Sequence, residues 1–294
     1  MNMNISNPHA NTAEYRRYAQ RHFPALCRMR DPESHKGTFG TVGIIGGSEG
    51  MTGAPLLAGA AALYTGSGKV IVGFNQNSLP LPVFQPYPEL MLDTAARLSV
   101  RRDIRTWVVG CGLGRNDTAA RAMYEIWHSD AEQIVLDADA LHLLVEQPRL
   151  FTPNRRSDLV LTPHPGEAAH LLDVGTDRVQ QNRAWAAREL ASRHRCWVVL
   201  KGHDTVISSA RGLIHTNPTG NAGLATAGSG DVLSGIVGSL LGQGIDAEQA
   251  VPAAAWLHGA ASEILANRQT GPIGMLAGEI APTVRWLRNQ IAIG

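Results

Sequence analysis

Short apolar runs that alternate with helix-like segments constrain the fold of this 294-residue chain more than any other feature of its sequence. Strands of a parallel sheet need apolar side chains on both faces, because helices cover both faces. The runs are apolar over most of their length rather than at every second position, and they lie at residues 41–45, 69–73, 106–110, 133–136, 158–161 and 196–200. The pattern predicts an α/β fold, a three-layer αβα sandwich around a mainly parallel central sheet.

Helix-like segments fill the intervals between these strands and most of the last third of the chain. The longer ones lie at residues 53–63, up to about 128, 140–145, up to about 194, 232–241, 247–267 and 277–290. Two further apolar pairs, 206–207 and 213–214, predict a short antiparallel hairpin at one edge of the sheet.

No linker-like stretch divides the chain, and 44% hydrophobic against 17% charged residues is enough for a sizeable core. We therefore expect a single domain over residues 36–294. Residues 1–35 are polar, with a weak helical pattern at 13–26, and are interpreted as an N-terminal extension. This extension is expected either to pack on the surface or on a neighbouring subunit, or to form a partly disordered tail.

Charge and apolar content exclude several classes of protein. The 26 basic and 25 acidic residues nearly balance, so no surface for nucleic acid or membrane lipid is expected. The sequence contains neither an apolar stretch of about 18 residues nor a signal-peptide pattern, which favours a cytoplasmic location. The three cysteines have no metal-ligand or disulfide spacing, and Cys111 and Cys196 are interpreted as core residues.

A glycine-rich stretch at residues 217–231 runs directly into an apolar, helix-like segment. Glycines allow left-handed turns and close approach to a ligand, and a helix N-terminus offers unpaired N–H groups. Together they predict an anion site, with Gly228, Ser229 and Gly230 as the anion hole and Asp231 on the first helical turn. An ordinary helix cap, or close packing of a helix on the sheet, is the competing interpretation.

Polar residues follow several of the predicted strands, where ligands of open α/β sheets bind. Lys201, after one strand, can reach a phosphate while Thr205 hydrogen-bonds a nucleotide; otherwise this segment is a turn with a solvated lysine. Asp137 and Asp139 after another strand can hold Mg²⁺ through water, or they can cap a helix.

Alternate prolines in Thr-Pro-His-Pro-Gly-Glu, residues 162–167, hold an extended turn at another strand end. Glu167 either caps the next helix, which is the more common role, or orients a magnesium-bound water. His164 has more freedom to contact a ligand. The turns at 46–55 and 110–114 are glycine-rich, but the latter is a weak dinucleotide fingerprint, and no P-loop, nucleophile elbow or zinc pattern is present.

Taken together, these motifs resemble the ADP- or ATP-dependent NAD(P)H-hydrate dehydratases of the ribokinase-like superfamily. The combination of Thr-Pro-His-Pro-Gly-Glu with Asn-Pro-Thr-Gly-Asn at 217–221 is the most specific part of the resemblance, which covers about residues 36–290. Further matching segments lie at 36–37, 43–48, 53–55, 112–114, 136–141, 199–202, 205–207, 228–233 and 258–259.

The resemblance implies a repair reaction in which the C6 hydroxyl of hydrated NAD(P)H is phosphorylated by ADP or ATP and phosphate is then lost. It implies that Asp231 accepts the hydroxyl proton. Because a carboxylate on a helix N-terminus is expected to be a weak base, Asp231 is expected to act mainly through its position.

The resemblance also assigns the remaining ligand contacts. The nucleotide is expected on Lys201, Gly202, His203, Asp204, Thr205 and Gly230. The hydrated cofactor is expected on Ala54, Gly112, Gly114, His164 and Asp231. The candidate Mg²⁺ ligands, Asp137, Asp139 and Glu167, come instead from their places at the strand ends.

The resemblance further implies a homotetramer that binds small molecules rather than nucleic acid or membranes. Cys111 stands where the family often has proline and His142 where it often has asparagine. The epimerase domain that often precedes this domain is too long for the 35 leading residues, so dehydration alone is expected. A small-alcohol kinase of the same fold and a non-catalytic nucleotide sensor are the competing functions.

Overall fold

A single mixed sheet forms the centre of the computed structural model, which describes residues 8–151 and 158–292. Its strands are β1 Thr41–Gly46, β2 Lys69–Phe74, β3 Met91–Thr94, β4 Thr106–Val109, β5 Gln133–Leu136, β6 Asp158–Leu161, β7 Trp197–Leu200, β8 Val206–Ser209 and β9 Ile214–Thr216. Their order across the sheet is β3-β2-β1-β4-β5-β6-β7-β8-β9. Strands β1 to β7 pair in parallel, and β8 and β9 add an antiparallel hairpin at one edge, as predicted.

Helices cover both faces of this sheet. They are α1 Pro8–His22, α2 Gly53–Thr65, α3 Ala95–Leu98, α4 Asp117–Trp127, α5 Asp139–Glu146, α6 Pro165–Leu172, α7 Thr176–Gln181, α8 Arg183–His194, α9 Ser229–Gly242, α10 Ala247–Leu265 and α11 Ala277–Ala292. One hydrophobic core lies under α1, α2, α9, α10 and α11, and the other lies under α3 to α8. The predicted three-layer αβα sandwich is confirmed.

Strand β4 shows why the predicted runs are apolar throughout. All four of its residues are buried. Val108 packs into the core under α2 and α9, whereas Trp107 and Val109 pack into the opposite core. Side chains of a strand alternate between the two faces, so a strand with a core on each face needs no polar position.

Strand β3 has no counterpart among the runs identified in the sequence. It pairs in parallel with β2 at the edge of the sheet. Met91 is exposed and Asp93 is only partly buried. An edge strand of four residues with a carboxylate in its interior does not produce a continuous apolar run. The pattern that predicts the central strands therefore does not identify β3.

Helix α1 packs directly on the folded domain. Tyr15 and Phe23 are buried, and both rings contact Trp256 of α10. The Tyr15 hydroxyl donates a hydrogen bond of 3.0 Å to Oε2 of Glu263, also on α10. Side chains between residues 15 and 27 thus contribute to the core under α10 and α11; the division of the chain into an extension and a domain at residue 36 stays a prediction.

Glu263 links this helix to the glycine-rich segment, because its Oε1 accepts a hydrogen bond of 2.9 Å from the Gly220 N–H. We expect Tyr15→Phe to lower the free energy of unfolding by about 1.5–3 kcal/mol, the typical value for a hydrogen bond to a charged group. The midpoint of urea unfolding measures this change. Tyr124→Phe, on an exposed part of α4, is the matched control and should change little. Equal losses in the two variants would contradict the linking role of Tyr15.

Candidate active site

The carboxyl ends of β1 and β4 mark the point where the strand order reverses. From β1 the chain continues outward to β2 and β3, and it then returns to β4 on the other side of β1. The loops after the two strands are joined by hydrogen bonds from Gly47 N to Cys111 O (3.0 Å) and from Ser48 N to Gly112 O (2.7 Å). In open α/β sheets this switch point is where ligands bind.

Three of the residues predicted to bind substrate lie together at this switch point. Gly112 has a left-handed φ of 59°, and a Cβ atom there would approach Ala54 Cβ to 3.2 Å. The Gly114 N–H donates a hydrogen bond of 2.8 Å to Oδ2 of Asp139. The structure thus brings Ala54, Gly112 and Gly114 to one edge of the sheet; their contact with substrate stays a prediction.

Helix α9 begins at the glycine-rich turn that the sequence predicts as an anion hole. Gly228 precedes the helix with a left-handed φ of 88°, where a side chain would clash with Leu57. Ser229 Oγ lies 3.2 Å from Nε2 of the buried His258. Burial lowers the pKa of His258 to about 4, so this imidazole is neutral near pH 7. The N-terminus of α9 therefore lies beside the uncharged imidazole of His258.

Asp231 lies on the first turn of α9, close to Cys111 and Asp137. One ligand atom of each of these three residues lies within 4.8 Å of the other two. Burial raises the pKa of Asp231 to about 7 and the negative charge of Asp137 adds to the increase, whereas a hydrogen bond from the Cys111 thiol lowers it. The expectation that Asp231 is a weak base is wrong, because desolvation and Asp137 outweigh its place on a helix N-terminus.

Lys201 forms a buried ion pair at the end of β7. Its Nζ lies 2.6 Å from Oδ1 of Asp137 and 3.8 Å from Oε2 of Glu167, and the Asp137 side chain is only 2% exposed. Burial lowers the pKa of the Lys201 ammonium, but the two carboxylates outweigh burial and raise the pKa above its usual value. Lys201 therefore stays charged. A Cβ atom on Gly230 would lie 3.3 Å from its Nζ, so the ammonium adjoins the start of α9.

Glu167 and His164 form a capping box at the start of α6. His164 Nδ1 accepts hydrogen bonds from the N–H groups of Gly166 and Glu167, and Glu167 Oε2 accepts one of 2.7 Å from His164 N. The helix-cap interpretation of Glu167 is confirmed. The His164 ring is more fixed than the sequence indicates, although its side chain remains 57% exposed.

The remaining predicted nucleotide-binding residues form the exposed turn between β7 and β8. Gly202 and Asp204 have positive φ values of 136° and 53°. The Thr205 hydroxyl donates a hydrogen bond of 3.0 Å to Gly202 O, which closes the turn, and the His203 side chain is 96% exposed. The turn starts beside the Lys201 ion pair; its contact with a nucleotide stays a prediction.

The three predicted Mg²⁺ ligands do not form one ligand set. Among the described residues, Asp137, Asp139 and Glu167 do not occur together in any group whose ligand atoms lie within 4.8 Å of one another. Asp137 pairs with Lys201, Asp139 accepts from Gly114, and Glu167 caps α6. Three converging carboxylates would also be unusual for Mg²⁺, which is commonly held by one or two carboxylates together with substrate phosphates.

Two residues that contribute to this site were not identified from the sequence. Cys111 was interpreted as a core residue, and although it is buried its thiol hydrogen-bonds Asp231. Its place inside the Gly-x-Gly turn after β4 was the available signal. Ser234, one turn after Asp231, donates a hydrogen bond of 2.7 Å to Asp137 Oδ2 and had no such signal.

The three-layer αβα sandwich of this chain is a ribokinase-like fold. A ribokinase-like superfamily protein of Enterococcus faecalis, 24% identical, has the same fold with a TM-score of 0.81, and the match covers 91% of this chain and 93% of that one. The family model described as NAD(P)H-hydrate dehydratase matches residues 42–285. The chain belongs to this family.

Two relatives show how extensive the similarity is. The chain is 51% identical over 272 residues to the ADP-dependent (S)-NAD(P)H-hydrate dehydratase of Neisseria meningitidis, and the match covers 92% of each chain. The ADP/ATP-dependent NAD(P)H-hydrate dehydratase of Bacillus subtilis, crystallised with ATP and Mg²⁺, superposes with a TM-score of 0.82 at 34% identity and covers 93% of this chain and 98% of that one. Within the described residues no helix is both long and apolar enough to cross a membrane.

Proposed function

We propose that this protein uses a nucleotide to dehydrate NAD(P)H hydrate back to NAD(P)H, as a lyase that repairs the cofactor. Membership of the dehydratase family supports this reaction. The observation that carries the chemistry is the buried carboxylate of Asp231, whose pKa of about 7 matches the task of a general base near neutral pH.

In the proposed first step, Asp231 accepts the proton of the C6 hydroxyl while that oxygen attacks the terminal phosphorus of the nucleotide. The new O–P bond forms as the bond between this phosphorus and the bridging oxygen breaks. The leaving group is AMP when ADP is the donor and ADP when ATP is the donor. In the second step, phosphate departs with the electrons of the C–O bond. A proton is lost from the ring, and the double bond of the nicotinamide is restored.

The start of α9 suits the charge that builds up on the phosphoryl group. The N–H groups of Gly228, Ser229 and Gly230 are proposed as its anion hole, and the Lys201 ammonium beside Gly230 adds a positive charge that stays in place near neutral pH. Fixed donors and charges that already point at the developing charge need no rearrangement during the reaction.

The nucleotide is proposed to bind on Lys201, Gly202, His203, Asp204, Thr205 and Gly230, and the hydrated cofactor on Ala54, Gly112, Gly114, His164 and Asp231. Residues 201–205 follow β7, Gly112 and Gly114 follow β4, Ala54 lies after β1 and His164 after β6, and Gly230 and Asp231 lie on the first turn of α9. Strands β1, β4, β6 and β7 are parallel, so their carboxyl ends lie on the same edge of the sheet. Mg²⁺ is proposed to arrive with the nucleotide phosphates. Asp137, Asp139 and Glu167 are its candidate contacts through water rather than a preformed cage.

The test follows the near-ultraviolet absorbance of reduced nicotinamide after the chain is mixed with hydrated NADH or NADPH, Mg²⁺ and either ADP or ATP. We expect absorbance to rise with at least one nucleotide and not without nucleotide. The better donor and the better cofactor are identified in the same experiment. No rise with either donor, together with stable phosphorylation of a small alcohol such as hydroxyethylthiazole, would make the chain a kinase of the same fold instead.

The assembly and location that the resemblance implies are further parts of this proposal. A homotetramer and a cytoplasmic location are expected for a repair enzyme of this family. Light scattering on the purified chain measures the mass of the assembly directly, and a mass other than four times 31.5 kDa would contradict the tetramer.

A further inference from the structure

A second cluster of metal-ligating side chains lies outside the candidate active site. It contains His142 and Glu146 of α5 and His170 of α6, and one ligand atom of each lies within 4.8 Å of the other two. His142 is half-buried, and the other two side chains are exposed. The other group of this kind among the described residues contains Asp231 and belongs to the active site.

The backbone already holds the three side chains on one surface. His142 and Glu146 are four residues apart on α5, so they occupy the same face of that helix. Helix α6 packs against α5, and the rings of His142 and His170 lie with their centres 5.0 Å apart and their planes at 37°. Small side-chain rotations on two packed helices are enough to converge the three ligands on one ion.

The donors select the kind of ion. Two imidazoles and one carboxylate suit Zn²⁺ and similar first-row metals such as Co²⁺ and Ni²⁺, whereas Mg²⁺ prefers oxygen ligands throughout. Glu146 Oε1 already lies 2.6 Å from the Arg115 guanidinium, which leaves the second carboxylate oxygen for a metal. We propose that His142, Glu146 and His170 form a Zn²⁺-type site on the outer surface of α5 and α6.

This site is separate from Asp231, which lies on α9, but its two helices begin at other proposed ligand contacts. Helix α5 begins at Asp139 and α6 follows the His164 cap, so the N-termini of both helices lie at the active-site edge. The metal ligands lie further along each helix. A bound ion would tie α5 to α6, and we expect it to raise the Tm because it binds the folded chain and not the unfolded one.

The test uses the full chain without an affinity tag and without nucleotide, which would itself chelate zinc. Zn²⁺ is titrated against a chromogenic chelator, and Co²⁺ is added separately because its visible absorption reports nitrogen and oxygen ligation. We expect a single Zn²⁺ ion per chain at this site, no competition from millimolar Mg²⁺, and a Tm that rises with Zn²⁺. His142→Asn combined with His170→Gln should weaken this binding by at least about tenfold and abolish the Tm shift.

His22→Gln, on the exposed end of α1, is the matched control and should bind Zn²⁺ as tightly as the unchanged chain. Circular dichroism and an unchanged metal-free Tm show that the double variant is folded. Zn²⁺ binding that is equally tight in the double variant would overturn the proposal, because the ion would then lie on other groups such as Cys27. The absence of Zn²⁺ binding by the unchanged chain would also overturn it.

Discussion

Replacing Asp231 with asparagine should lower kcat/KM for hydrated NADH by about 10²–10⁴-fold, the usual contribution of a general base. The amide keeps the shape of the side chain but cannot accept the hydroxyl proton. With Asp231 present, the rate should fall as pH decreases below about 7, because the protonated carboxyl cannot act as a base. Initial rates across this pH range measure both effects, and an Asp231→Asn enzyme with the full rate would contradict the proposed role.

Replacing Cys111 provides a second test of Asp231 as the general base. Its thiol donates a hydrogen bond that lowers the pKa of Asp231. Cys111→Ala removes this donor, so the acidic limb of the pH profile should move to higher pH, whereas Cys111→Ser keeps a donor. A purely structural role for Cys111 would change stability and leave the position of the limb unchanged.

The same Asp231→Asn exchange should stabilise the fold while it removes activity. The carboxyl has a pKa of about 7 in the folded chain against an ordinary 3.8. The folded state therefore keeps a proton that the unfolded state has lost, and stability falls as pH rises from about 4 to about 7. Above about pH 7, this pKa difference lowers the free energy of unfolding by at most about 4 kcal/mol.

Urea unfolding should therefore show a gain for Asp231→Asn above about pH 7 and little change below pH 4. Asp117→Asn is the matched control, because Asp117 also lies on the first turn of a helix, α4, but is exposed. That exchange should give no such gain. A gain of the same size in both variants would mean that helix position, and not burial, is responsible.

The central sheet is predictable from the sequence because its strands are buried on both faces. Strand β4 has a core on each side, so burial alone requires an apolar residue at every position. Strand β3 lies at the edge and contains Asp93, so the same physical rule does not apply to it. The arrangement of α1 could not be predicted, because Tyr15 and Phe23 pack on Trp256, which is more than two hundred residues away.

Some features of the candidate site are determined by neighbouring residues in the sequence, and others by residues far away in it. The position of Asp231 follows from the glycines that precede it, since Gly228 forces the turn that starts α9. Its base strength does not follow, because burial and the charge of Asp137 come from other parts of the fold. The pairing of Asp137 with Lys201 likewise joins residues 64 positions apart, so the sequence indicates two separate ligand contacts where the structure has one ion pair.

Replacing Lys201 with methionine should destabilise the folded chain by about 3–5 kcal/mol near neutral pH, the typical cost of leaving a buried charge without its partner. The Asp137 side chain is 2% exposed, and the ammonium is its partner at 2.6 Å. Urea unfolding measures the loss. Lys36→Met, on an exposed lysine, is the matched control and should change stability little.

A double variant separates the structural role of Lys201 from its proposed catalytic role. Asp137→Asn in the Lys201→Met background removes the unpaired charge, so most of the lost stability should return. Activity should stay about 10²–10³-fold below that of Asp137→Asn alone, which lacks the same candidate Mg²⁺ contact, because the ammonium beside Gly230 no longer stabilises the transferred phosphoryl group. If activity returned together with stability, Lys201 would act only by neutralising Asp137, and the positive charge for phosphoryl transfer would have to come from another group.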